Sequence, residues 1–78
     1  MRVLFFAQLK DVTGCESAEI EAASLDSERL WRELLKKFPA LAAHRAATRL
    51  ARNWEYAGPN AIFASGDEIA LIPPVSGG

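Results

Sequence analysis

The chain has 78 residues, half of them apolar and 24% charged, with a formal net charge of −1 and a pI near 5.7. A chain of this length forms one domain that buries about 60% of its unfolded surface, which leaves little room for an enclosed active site. The apolar and charged fractions are those of a folded globular domain rather than a disordered tail, and Lys and Arg form no basic stripe, so nucleic-acid binding is not expected.

Residues 2–8, Arg-Val-Leu-Phe-Phe-Ala-Gln, are a short run rich in branched and aromatic side chains and predict a first strand with both faces at least partly covered. The only basic residue ahead of the apolar stretch Val3 to Ala7 is Arg2, and the stretch is too short for a signal peptide or a membrane span. A cytoplasmic protein without membrane association is the expectation. Thr13-Gly14 offers a turn, and Ser17 to Ala22 sets Ala18, Ile20 and Ala22 against Glu19 and Glu21, a half-buried strand returning beside the first as a hairpin. The single cysteine, Cys15, sits in the polar stretch Asp11 to Glu16 with no His or second Cys nearby, and is read as a loop residue rather than an activated thiol or metal ligand.

Asp26 is placed to cap a helix, because its carboxylate accepts from free N–H groups of the first turn and suits the positive end of the helix dipole. Leu25 and Leu30 stand where a hydrophobic staple would fix the entry angle. From Ser27, Leu30, Trp31, Leu34, Leu35 and Phe38 recur at helical spacing with Arg32, Glu33, Lys36 and Lys37 opposite, and Phe38-Pro39 ends the run. Trp31 on that apolar stripe reads as core rather than as a stacking platform. Residues 40–47 predict a second short helix, and its His44 lacks the neighbours that a general base or metal ligand needs.

Thr48 to Asn53 predicts a strand, followed at Trp54-Glu55-Tyr56 by a tight turn into a very short one. Gly58-Pro59-Asn60 is a loop, Ala61-Ile62-Phe63 a small apolar anchor, and Ser65-Gly66-Asp67 a turn that launches a final strand, Glu68 to Ile72. One main helix among several strands predicts an α+β fold, a mixed sheet curled round that helix. Alternation then sends Val3, Phe5, Ile69 and Leu71 to the helix side and Leu4, Phe6, Ala70 and Ile72 to the other. Phe6, Ile72 and Tyr56 are expected to form an exposed apolar patch of the kind that marks a partner surface.

No nucleophile–base pair, carboxylate dyad, Gly-rich phosphate loop or metal-ligand spacing is present, so the chemistry is sought at the end of the chain. At average glycine usage near 7%, a terminal Gly-Gly arises by chance in about one chain in two hundred. Its setting strengthens the signal. The tail Pro73-Pro74-Val75-Ser76-Gly77-Gly78 combines prolines that favour an extended, projecting backbone with glycines that fit a narrow cleft. The carboxylate of Gly78, with a reference pKa of about 3.5, is ionised and a poor electrophile at neutral pH. Adenylation by ATP would convert it to a mixed anhydride, and a sulfur donor could turn that into a thiocarboxylate.

The segments Arg2 to Lys10, Asn53 to Tyr56 and, above all, Gly66 to Gly78 closely resemble the MoaD family, the small sulfur-carrier subunits of molybdopterin synthase. The resemblance implies a ubiquitin-like β-grasp domain over residues 1–72 and a flexible tail over 73–78. It implies that Gly78 is adenylated, using ATP, by an adenylyltransferase resembling ubiquitin-activating enzymes, and then carries a thiocarboxylate. It further implies a heterotetramer with the large synthase subunit, into which the tail would deliver sulfur to cyclic pyranopterin monophosphate, twice per dithiolene. On this basis Phe6, Lys10, Tyr56 and Ile72 map onto the partner surface, no bound cofactor or metal is expected, and the catalytic side chains belong to the partners. Many relatives have arginine where Lys10 stands, and lysine offers a point charge instead of a planar fork. Many also have an apolar residue at the position of Arg52, which leaves the strand register there open. Two other uses of an activated Gly78 are a ubiquitin-like protein modifier and a thiamine-type sulfur carrier, while a plain interaction domain would not use it at all.

Overall fold

The computed structural model describes residues 1–74; Val75, Ser76, Gly77 and Gly78, on which the expected chemistry falls, lie outside the described residues. In chain order the elements are β1 (Arg2–Phe5), α1 (Gln8–Thr13), β2 (Ser17–Glu19), β3 (Ser24–Asp26), α2 (Ser27–Lys37), a 3₁₀ segment (Pro39–Ala47), β4 (Arg49–Arg52), β5 (Glu55–Tyr56), β6 (Ile62–Ala64) and β7 (Glu68–Ile72). Five strands form one sheet in the order β2-β1-β7-β4-β5, and β3 and β6 form a separate pair. Only β1 and β7 run parallel, with Val3 beside Ile69 and Phe5 beside Leu71. This order, with a helix across one face, is the β-grasp arrangement of ubiquitin-like proteins, as expected.

The core lies between the sheet and α2. Val3, Phe5, Ile69 and Leu71 are fully or almost fully buried, as alternation requires, and share one apolar cluster with Leu30, Trp31 and Leu34 of the helix. Asp26 Oδ1 accepts the Arg29 amide at 2.8 Å and caps α2, while Leu25 packs against the cluster that holds Leu30. Trp31 is a core residue, 5% exposed, with the Arg45 guanidinium 5.7 Å from the ring centre.

Four expectations need correction. The first strand ends at Phe5 rather than Gln8, and the hairpin turn expected at Thr13-Gly14 is the end of a short helix. Leu9 and Val12 stand one turn apart, Leu9 is completely buried, and Gly14 closes the helix at φ 77° with its amide donating to the Lys10 carbonyl at 2.8 Å. A helix of six residues is too short to be stable alone, so burial of Leu9 holds it. Residues 24–26, read only as the approach to the α2 cap, pair with β6, placing Leu25 beside Phe63. The second helix is 3₁₀ and begins one residue earlier, at Pro39; its only fully buried anchor is Leu41. The register left open at Arg52 resolves with Arg52 opposite both Ile69 and Glu55, exposed at the end of β4, its Nη1 donating to the Ile62 carbonyl at 2.7 Å.

Candidate functional site

The sheet face turned away from α2 divides into two halves. Near the start of β1 and β7 it is polar: Glu19 lies beside Arg2, which lies beside Glu68, and the Arg2 and Glu68 side chains approach to 4.0 Å. Toward the end of β7 it is apolar, a groove of about 340 Å³ lined by Phe6, Ala51, Trp54, Tyr56, Ala70 and Ile72. Its floor is two alanines, Ala51 and Ala70, which face each other across β4 and β7 and are small enough to leave a depression. Its walls are aromatic. Phe6 and Trp54 meet edge to face with ring centres 6.4 Å apart, and Trp54 and Tyr56 are 71% and 65% exposed.

Trp54 owes its place to a tight turn. Asn53 and Trp54 have φ of 50° and 71°, the two-residue connection that matches the twist of a hairpin. Asparagine tolerates that conformation, whereas a bulky aromatic there is an outlier worth about 1–3 kcal/mol of strain. The Asn53 side chain ties the turn to the sheet: its Oδ1 accepts the Glu68 amide at 3.0 Å and its Nδ2 donates to Asp67 Oδ1 at 3.1 Å. Asp67 Oδ2 in turn accepts the Ala64 amide at 2.8 Å. A large aromatic that neither backbone preference nor burial favours is thus held firmly over the groove.

The Ala64 amide first, and the Asn53 side chain second, hold the Asp67 carboxyl below its ordinary pKa. Because the folded-state value is the lower one, the unfolded chain binds more protons as the solution is acidified. The contribution of Asp67 is therefore complete above the ordinary carboxylate pKa of about 4 and is lost as pH falls through the depressed folded value. Asp67→Asn should then have a lower urea midpoint than the native chain at neutral pH, with the gap narrowing below about pH 4. A gap that stays constant with pH would show that the charge of Asp67 is not what the turn uses.

Of the sequence-predicted surface residues, the structure brings Phe6, Tyr56 and Ile72 together in the groove. Lys10 does not line it; it sits on α1 in a neighbouring recess that also touches Phe6 and Trp54. Pro73 and Pro74 continue directly from β7, whose last residue, Ile72, is part of the groove wall. Pro73 and Pro74 therefore follow on from the edge of the aromatic face. Cys15 is half-buried, its amide donating to Thr13 Oγ1 at 3.3 Å, and no group of three His, Cys, Asp or Glu is placed to hold a metal ion among the described residues. No helix there is long and apolar enough to cross a membrane.

A model of the ThiS family matches residues 3–78. The chain belongs to the ThiS family. It is 38% identical over 79 residues to the molybdopterin synthase sulfur carrier subunit of Arabidopsis thaliana, a match that covers 100% of this chain and 82% of the relative. Among solved structures it is similar to small archaeal modifier protein 1 of Haloferax volcanii, with a TM-score of 0.82 and 28% identity over 99% of this chain and 97% of that one. A complex of subunits 1 and 2 of the molybdopterin-converting factor of Helicobacter pylori contains another similar chain, with a TM-score of 0.70 and 29% identity over 99% and 96% of the two chains. The family resemblance read from the sequence is borne out, as is the ubiquitin-like fold.

In this ThiS-family chain, alternation along β1 and β7 identified the groove, but sequence reasoning missed its most exposed member. Trp54 was absorbed into a turn. The available signal was Asn53, which tolerates the left-handed backbone of a two-residue hairpin turn and so places Trp54 beside it at the tip between two short strands.

Proposed function

We propose that this chain is the sulfur-carrying small subunit of a molybdopterin synthase, acting in molybdenum cofactor biosynthesis through the carboxylate of Gly78. One observation carries the reading: the last strand ends at Ile72 beside an exposed aromatic groove, and the sequence that follows it is Pro-Pro-Val-Ser-Gly-Gly. The groove serves as the handle and the tail as the working group. The relatives named for this role, and the complex of the two converting-factor subunits, support the same partner class.

In this scheme an oxygen of the Gly78 carboxylate attacks the α-phosphorus of ATP in an adenylyltransferase and pyrophosphate leaves. A donor of sulfide-level sulfur then displaces AMP at the carbonyl carbon, giving the thiocarboxylate. Inside the large subunit, with which the chain forms a heterotetramer, the sulfur is passed to cyclic pyranopterin monophosphate and water restores the carboxylate. The side chains that do acid–base work belong to the two partner enzymes, both cytoplasmic in this scheme. Glycine at the last two positions lets the backbone enter a narrow cleft and approach phosphate without obstruction.

Mass spectrometry of the chain from its native host tests this. The expected result is a fraction heavier by the difference between sulfur and oxygen, with the change confined to the C-terminal peptide. The likeness to small archaeal modifier protein 1 favours one second reading, a ubiquitin-like modifier in which Gly78 is passed to a lysine amine. That reading predicts Gly78 joined to lysines of other proteins, and finding only such conjugates would overturn the sulfur-carrier proposal.

A further inference from the structure

Two cations flank the apolar half of the sheet face. Lys10 adjoins it on the Phe6 side, sharing a recess with Glu16 but forming no ion pair with it. On the opposite side Arg49 stands across from Ile72 in the β4–β7 register, and its guanidinium carbon lies 5.1 Å from the centre of the Tyr56 ring. Among the described residues Arg2, Lys36 and Arg45 are paired with carboxylates; Arg49, like Lys10, Arg29, Arg32, Lys37 and Arg52, is not, and of these only Arg49 lies over a ring of the groove. The adjacent acidic residues point elsewhere: Glu68 approaches Arg2 in the polar half, and Glu55, opposite Arg52, alternates to the other face from Tyr56. The rim of the groove at the tail end is therefore positive.

We propose that Arg49 is the orienting charge of the docking face, and that the large-subunit partner meets it with a carboxylate. The inference rests on the docking role given above to the groove. Its physical core is geometric. The Arg49 guanidinium lies over the Tyr56 ring, so a partner that covers that ring also strips water from Arg49. A cation desolvated without a counter-charge opposes association strongly, and a partner fitted to this face has to supply the anion. Stacking on Tyr56 also holds the planar fork in place before contact, so less side-chain freedom is lost on forming a two-pronged bond to a carboxylate. Placed beside Ile72, such a bond fixes the rotation of the domain about the groove and hence the direction in which the tail is presented.

The test is binding kinetics between the full chain and the large synthase subunit of the same organism, with Arg49→Glu and Arg49→Lys compared against the native sequence. Arg49 is exposed and outside the core, so both variants should keep the native circular dichroism spectrum. At low salt Arg49→Glu is expected to bind about tenfold more weakly, mainly through slower association, with the difference shrinking as salt rises. Arg49→Lys should fall between the two, because the charge remains and the stacked fork is lost. Exchanging the facing partner carboxylate for lysine should restore binding to Arg49→Glu. Equal affinities of the native chain and Arg49→Glu at low salt would overturn the proposal. If the native chain itself fails to bind, the docking role of the groove falls, and the assignment of Arg49 falls with it.

Discussion

Removing Gly78 alone should abolish sulfur transfer while leaving the domain folded. Among the described residues the core ends at Leu71 and the last strand at Ile72, and the deletion removes none of them. Thermal unfolding should be unchanged within error. The functional effect should nevertheless be complete, because in the proposed scheme the group that is activated and carries sulfur is the carboxylate of the last residue. Shortening the tail by one residue moves the carboxylate back by up to about 3.5 Å along an extended chain. Displacements of about 1 Å at a reacting centre already cost on the order of a hundredfold in rate. The deletion also leaves Gly77 last with Ser76 before it, putting a side chain where the native tail has only backbone. The measurement is dithiolene formation in a reconstituted mixture of carrier, activating enzyme, sulfur source and large subunit. Appreciable product from the truncated chain would refute the assignment of Gly78. Partner binding in the same experiment should persist, since Phe6, Trp54 and Tyr56 are intact.

That separation between tail and face also explains which parts of the molecule the sequence reveals. The faces of β1 and β7 are legible because period-2 alternation is a local property: Val3 and Phe5, or Ile69 and Leu71, each declare their side without knowledge of the partner strand. The helix α2 is legible because a cap at Asp26, an apolar stripe and a terminal Phe38-Pro39 agree with one another. Shorter elements are not. Helix α1 has a single turn and a half, too little for a period to emerge, and it is fixed by burial of Leu9, a tertiary effect. The pairing of β3 with β6 joins two three-residue segments far apart in sequence, and neither carries enough pattern to predict the other. Trp54 and Arg49 illustrate the same limit at the site. Each belongs to the groove or its rim only through register, Trp54 by folding over the Ala51–Ala70 floor and Arg49 by standing opposite Ile72. The tail is the reverse case, since its chemistry is read from composition and order alone.

Phe6→Asp should cost about a hundredfold in affinity for the large subunit, with a moderate loss of stability that leaves the domain folded. The ring of Phe6 is 37% exposed in the free domain and contributes to the wall of the groove, while the fully buried neighbours Val3, Phe5 and Leu9 carry the core. Replacing it leaves those neighbours in place and loses the edge-to-face contact with Trp54, worth about 0.5–1.5 kcal/mol, together with roughly 1–2 kcal/mol from the part of the side chain already covered. Binding suffers more. Covering the third or so of the residue still exposed yields roughly 0.5–1 kcal/mol, and an aspartate in its position adds the larger cost of desolvating a carboxylate against Ala70, Ile72 and Trp54. A loss of about 3 kcal/mol, the usual weight of a central aromatic in an interface, corresponds to roughly a hundredfold. Titration calorimetry against the large subunit gives the affinity, and a urea transition of the free chain gives the stability. Phe6→Leu supplies the control: it keeps apolar area and should recover most of the affinity. Native affinity for Phe6→Asp would mean that the partner sits on another face, whereas unfolding of the variant with full activity in Phe6→Leu would assign Phe6 to the core.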